Sequence, residues 1–127
     1  MPKFPLATKC VYDPVAVQDG TRVLVMRFWP RGVSKEKVNF WLRDLGTTPD
    51  LITERRTGSI SWAQFRRRYR ESLQGPAARQ AIVEVRKLLA NGPVTLLCSC
   101  RDEAECHRGI LKDVVAQQRS PAKRKSK

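Results

Sequence analysis

Three of the four cysteines and the only histidine fall within twelve residues, "CSCRDEAECHRG" at 98–109. Cys98, Cys100, Cys106 and His107 could support two kinds of chemistry. A thiol becomes a nucleophile when basic neighbours or a helix amino end hold it as thiolate, and His107, Arg101 and Arg108 are such neighbours. Four sulfur and nitrogen donors are also a zinc set. The spacing suits zinc poorly, because C-x-C followed by an adjacent Cys-His pair crowds both halves. A third reading is that the cysteines are small core residues and His107 a hydrogen-bonded buried histidine.

Two further chemistries fail on spacing. Covalent c-type haem needs C-x-x-C-H, and position 103 is Glu103. A phosphatase Cys-x5-Arg loop needs an arginine where Ala104 or Cys106 stands. Axial ligation of a haem by Cys or His stays open, and the sequence leaves any cofactor unknown.

A second patch, "RFWPRGVSK" at 27–35, brings Arg27, Trp29, Arg31, Ser34 and Lys35 together. Guanidinium forks, a flat aromatic and a helix start would suit a phosphate and a base. Trp29-Pro30 could equally be a packed corner. In "FRRRYR" (65–70), Phe65 and Tyr69 lie on an apolar stripe, and Arg67 is spaced to pair with Glu71 on an ordinary helix.

The elements that must position these residues alternate. "TKCVY" (8–12), "RVLVMRF" (22–28) and "PVTLLCS" (93–99) read as strands, the last apolar on both faces. Ser34 predicts a helix cap before Val38, Trp41, Leu42 and Leu45. Ser61 with Gln64 predicts a capping box before Trp62, Phe65, Tyr69 and Leu73. Gly75-Pro76 opens a helix that Asn91-Gly92-Pro93 stops. A final helix is expected from Asp102, boxed by Glu105, burying Ile110, Leu111, Val114 and Val115. Strands separated by helices predict a small α/β domain of two or three layers with a short, mainly parallel sheet, strands 22–28 and 93–99 running parallel. Both chemical patches then follow strand ends, where open α/β sheets bind ligands.

Length suits one domain over 1–118, followed by a basic, disordered tail at 119–127. Formal net charge is +13; the last nine residues carry five positive charges and no acid, leaving +8 on the rest. That balance points to a phosphorylated small molecule or nucleic acid as partner. No apolar run is long enough for a membrane span, and "MPKFPLATKC" lacks a secretory h-region, so a cytoplasmic location with reduced thiols is expected.

The stretches "DGTRVLVMRFWPRGVSKEK" (19–37), "FWLRDL" (40–45), "WAQFRRRYRESL" (62–73) and "GPVTLLC" (92–98) resemble the YeaO-like family of domains of unknown function, DUF 488. The resemblance covers nearly the whole folded chain and implies no particular reaction. Relatives usually carry an acidic residue where this chain has Met26, so an acid/base role for that carboxylate is absent here. They often have Ala-Pro-Ser in place of Gly46-Thr47-Thr48. The function expected is binding of a phosphorylated or nucleic-acid ligand at the carboxyl edge of the sheet, with thiol chemistry open; the alternative is a non-catalytic module with structural or zinc-binding cysteines.

Overall fold

The computed structural model describes residues 4–100 and 106–117. Arg101, the expected Asp102–Glu105 capping box and the tail at 119–127 lie outside the described residues.

Four strands form one parallel sheet in the order β1-β4-β2-β3: β1 Leu6–Cys10, β2 Thr21–Leu24, β3 Phe40–Trp41 and β4 Val94–Cys98. The helices are α1 Pro49–Thr57, α2 Trp62–Ser72, α3 Pro76–Asn91 and α4 His107–Gln117. The chain is a small α/β structure with a parallel sheet, as the alternation of elements predicts. β4 lies between β1 and β2 and is buried along its whole length. That accounts for its unbroken apolar run.

Strand alternation divides the core in two. Val23, Val25, Val94 and Leu96 face a large cluster containing Leu51 of α1, Phe65 and Tyr69 of α2, Val85 of α3 and Leu111 of α4. Leu24 and Leu97 face the other way, onto Val11, Val33, Trp29 and Trp41. All four α-helices therefore contribute to the core on one face, and the loop 25–41 covers the other. Of the two layerings expected, this is the two-layer one.

One expected helix is absent. Residues 34–45 form a short 3-10 turn at Lys35–Lys37, then β3, then a second 3-10 turn at Arg43–Leu45. Val38, Trp41, Leu42 and Leu45 match a helical period, but the open edge of β2 competes for their backbone. The Asn39 and Leu42 amides donate to the Arg22 and Leu24 carbonyls at 2.8 and 2.9 Å, and the Asn39 side chain accepts from the Arg22 amide at 2.7 Å. β2 likewise stops at Leu24, so residues 25–28 are free to shape a loop.

α1 has a local signal of its own: Thr48 caps it through the Leu51 amide at 3.3 Å, Pro49 opens it, and Gly58 closes it in the left-handed region. α2 has the capping box that Ser61 and Gln64 predict.

Candidate functional site

The site is built on the junction between β4 and α4. β4 ends at Cys98, the chain leaves the sheet through Ser99 and Cys100, and it returns at Cys106 to start α4 with His107. Both Cys98 and Cys106 are buried, whereas Cys100 is exposed. The Cys98, Cys100 and Cys106 sulfurs all lie within 4.8 Å of one another, with Cys98 Sγ 3.7 Å from Cys100 Sγ. That spacing could hold a metal ion. Cys10 lies apart from the group: it is buried, pairs in register with Cys98 and directs its thiol to the Ser99 carbonyl at 3.7 Å.

His107 is fixed from both sides. Its Nε2 lies 2.6 Å from the Val25 carbonyl oxygen, which can only accept, so Nε2 carries a proton and donates. Nδ1 then faces sulfur, 3.8 Å from both Cys98 and Cys106. Tyr69 packs edge-on against the imidazole at 5.3 Å and anchors its own hydroxyl on the Leu45 carbonyl at 2.6 Å. Burial raises the Tyr69 pKa and keeps the phenol neutral.

The thiols do not titrate alike. Cys100 receives hydrogen bonds from Cys106 and Cys98, and these, with the charges of His107 and Arg108, overcome its partial burial and pull it down to about 2. Donation to Cys100 pushes Cys98 up to about 11. The same donation to Cys100 and Cys98, with burial, raises Cys106. Burial disfavours the His107 cation, but Cys106, Cys100 and the Val25 carbonyl outweigh it and raise its pKa. The directions agree with the geometry: the thiolate is favoured on the solvent side at Cys100, the thiol at Cys98 and Cys106 behind it, and the His107 ring lies beneath.

Above the sulfurs opens a pocket of about 290 Å³. His107 and the three cysteines line it together with Met26, Arg27 and Phe28 from the loop after β2, and Arg55 and Arg56 from α1. Arg27 is largely committed: its guanidinium reaches the Thr47 and Gly46 carbonyls at 3.3 Å and Asp44 at 3.8 Å. Arg108 is buried and donates to the Cys100 carbonyl at 2.7 Å, tying the start of α4 to the end of the segment that leaves β4.

The other residues expected at this site are elsewhere. Trp29 donates its indole N–H to the Val33 carbonyl at 2.8 Å and packs edge-on against Trp41, in the cluster on the far face of the sheet. The Arg31 carbonyl accepts from Tyr12, and Ser34 and Lys35 are exposed around a three-residue 3-10 turn. None of these four lines the pocket. The loop closes on itself, so its aromatic turns inward and its cations disperse. Phe28, Arg55 and Arg56 occupy the positions that sequence reasoning gave to Trp29 and Arg31. The only local sign of them is the pair Arg55-Arg56 in the last turn of a helix with a clear start and stop.

A family model described as the active DUF488-N3 subclade matches residues 6–119. The chain belongs to the YeaO-like DUF488 family. Its relatives include an uncharacterized protein of Mycobacterium tuberculosis, Rv3073c, 32% identical over 107 residues, 83% of this chain and 88% of the relative. The uncharacterized protein YeaO of Escherichia coli is 31% identical over 108 residues, 83% of this chain and 91% of YeaO. No solved structure matches. Within this DUF488 chain, Met26 puts an apolar side chain on the pocket wall. Among the described residues no helix is long and apolar enough to cross a membrane.

Proposed function

We propose that this protein is an enzyme that binds a phosphate-bearing ligand at the carboxyl edge of its sheet and acts on it through the Cys100 thiolate. The observation that carries the reading is one pocket holding three clustered sulfurs and His107 below and arginines at its rim. The description of the matched family model as an active subclade supports it. Arg56, with Arg55, offers charge to a phosphate, and Phe28, 60% exposed, offers a flat face to an aromatic group. Cys100 Sγ would form a bond to an electrophilic centre of the ligand as the bond to the leaving group breaks. A thiol proton from Cys98 or Cys106, replaced from Nδ1 of His107, would go to the leaving group, and water would later release the adduct. Free clustered thiols suit a reducing, cytoplasmic setting. Residues 1–118 would act as one unit.

The sulfur spacing favours one second reading, a zinc-binding module. Three sulfurs about 2.3 Å from a tetrahedral ion stand ~3.8 Å apart, against 3.7 Å for Cys98 and Cys100. A ligating histidine also commonly donates its second nitrogen to a carbonyl. Iodoacetamide alkylation, mapped by mass spectrometry, separates the two. Under the thiolate reading, Cys100 is modified first and its rate falls little between pH 7 and pH 5. An ordinary thiol with a pKa near ~8.5 would slow about 100-fold over that interval. Cys10 should stay unmodified, and His107→Ala should slow Cys100. Stoichiometric zinc, with cysteines that react only after chelation, would instead assign the cluster to metal.

A further inference from the structure

We infer that the phosphate-bearing ligand is a nucleic-acid single strand, whose backbone runs from the thiol pocket along the α2–α4 groove and over the arginine face of α2. The inference deepens the reading above and rests on it for the position of the reacting nucleotide.

Three depressions form a chain. Cys106 lines both the thiol pocket and a second depression, between α2 and α4, bounded by Trp62, Arg66 and Lys112. Arg66 in turn lines a third, over α2, with Arg67 and Arg70. The three lie side by side, each sharing a wall residue with the next; Cys106 is itself buried, so a strand would pass over it from one depression to the other. A small phosphate would occupy one station of such a path; a polymer would follow all three.

The charge along the path has no internal use. Arg66 and Arg67 are exposed and Arg70 half-exposed, and among the described residues none of the three side chains has a hydrogen bond or ion pair. The Arg67–Glu71 pair that the helix spacing predicts is not formed. Arg68, one position on, shows the contrast: it is bonded to Glu54 of α1. Helix formation needs no such density of like charge, and the repulsion among neighbours costs stability. Glu71 and Asp113 are the acids lining the second and third depressions, against Arg66, Arg67, Arg70 and Lys112.

Aromatic faces select among polyanions. Trp62 lines the groove with its ring stacked on Phe65 at 5.1 Å and the Arg55 guanidinium 5.5 Å from its centroid, so a base would displace Arg55 there. Exposed Phe28, at the pocket mouth, has an open face. A cationic groove punctuated by flat rings is how single strands are held without sequence preference, phosphates on arginine and bases on rings.

The test is fluorescence anisotropy of a labelled 20-nucleotide single-stranded DNA with the full chain and with the triple variant Arg66→Gln, Arg67→Gln, Arg70→Gln. The expected result is binding by the parent chain and a loss of ~10-fold or more in the variant. The slope of log affinity against log salt should become shallower by about 2, because each of three phosphates left without its arginine removes ~0.7 from it. The melting temperature should not fall, since removing like charges relieves repulsion, and Cys100 alkylation should not change. Unaltered affinity and slope in the folded variant would overturn the groove. Binding of a mononucleotide but not the oligonucleotide, or binding of phosphatidylserine vesicles in its place, would overturn the single strand while leaving the pocket reading standing. Variant-sensitive strand binding by a chain whose Cys100 is inert would support the groove and sink the thiolate reading instead.

Discussion

His107 and Asp19 are both buried titratable groups, and their partners give them opposite roles. His107 has one nitrogen fixed on a carbonyl and the other against two sulfurs that border open space. Asp19 is enclosed by groups that only stabilise its charge. It pairs with buried Arg22 and with Lys9 at 3.0 Å, and accepts from the Ala16 amide at 3.0 Å. Burial alone would raise its pKa; the Ala16 amide, Lys9 and Arg22 outweigh that and lower it from the ordinary 3.8. A depressed carboxylate stabilises the fold above its unfolded pKa, and that contribution is lost as pH falls from about 4 through the folded value. Asp19→Asn leaves Arg22 buried without its partner and should cost about 3–5 kcal/mol at pH 7. Urea denaturation at pH 7 and pH 3 checks this: the gap between parent and variant should narrow at the lower pH. A gap that persists at pH 3 would assign the effect to packing.

Among the elements, those with their own punctuation were legible in the sequence. Ser61 with Gln64, Gly75-Pro76 and Asn91-Gly92-Pro93 mark helix ends by local chemistry, and α2 and α3 lie where those residues put them. Residues 34–45 fit a helical period equally well, but a strand partner decided their structure, and the partner is remote in sequence. The candidate site divides the same way. Cys98 and His107 follow from strand alternation and a helical wheel, whereas Phe28, Arg55 and Arg56 depend on how α1 docks beside the loop after β2. That docking turns on Gly46. A methyl group there would lie 2.1 Å from the Arg27 nitrogen and 2.6 Å from the Met26 carbonyl carbon. Its φ of −79° is open to any residue, so space alone requires glycine. Gly46→Ala should therefore destabilise by at least ~1–3 kcal/mol, the range for overpacking, measured by chemical denaturation. It should also disturb the pocket wall formed by Met26 and Arg27. An Ala variant of parental stability would mean that the loop can move aside freely.

Across the whole molecule, a parallel sheet sends all its carboxyl ends to one edge, and chemistry placed there can draw on every loop that leaves the strands. Here the helical layer completes that edge: α4 supplies His107, α1 the rim arginines, and α2 the basic face beside them. Charge is distributed over the chain as well as over the site, since five of the thirteen net positive charges lie in residues 119–127. The family match ends at residue 119, where that run begins. If those residues act as an electrostatic arm beside the proposed groove, their removal should leave the melting temperature unchanged and Cys100 alkylation as fast as before. Affinity for a single strand should drop, with the salt slope shallower by up to ~3.5 if all five charges meet phosphates, at ~0.7 each. Combined with the α2 triple substitution, the two losses should add in free energy, because the arm and the helix face would contact separate phosphates. A lower melting temperature after truncation would show that the segment packs on the fold. A truncation that leaves the salt slope unchanged would confine strand binding to the groove.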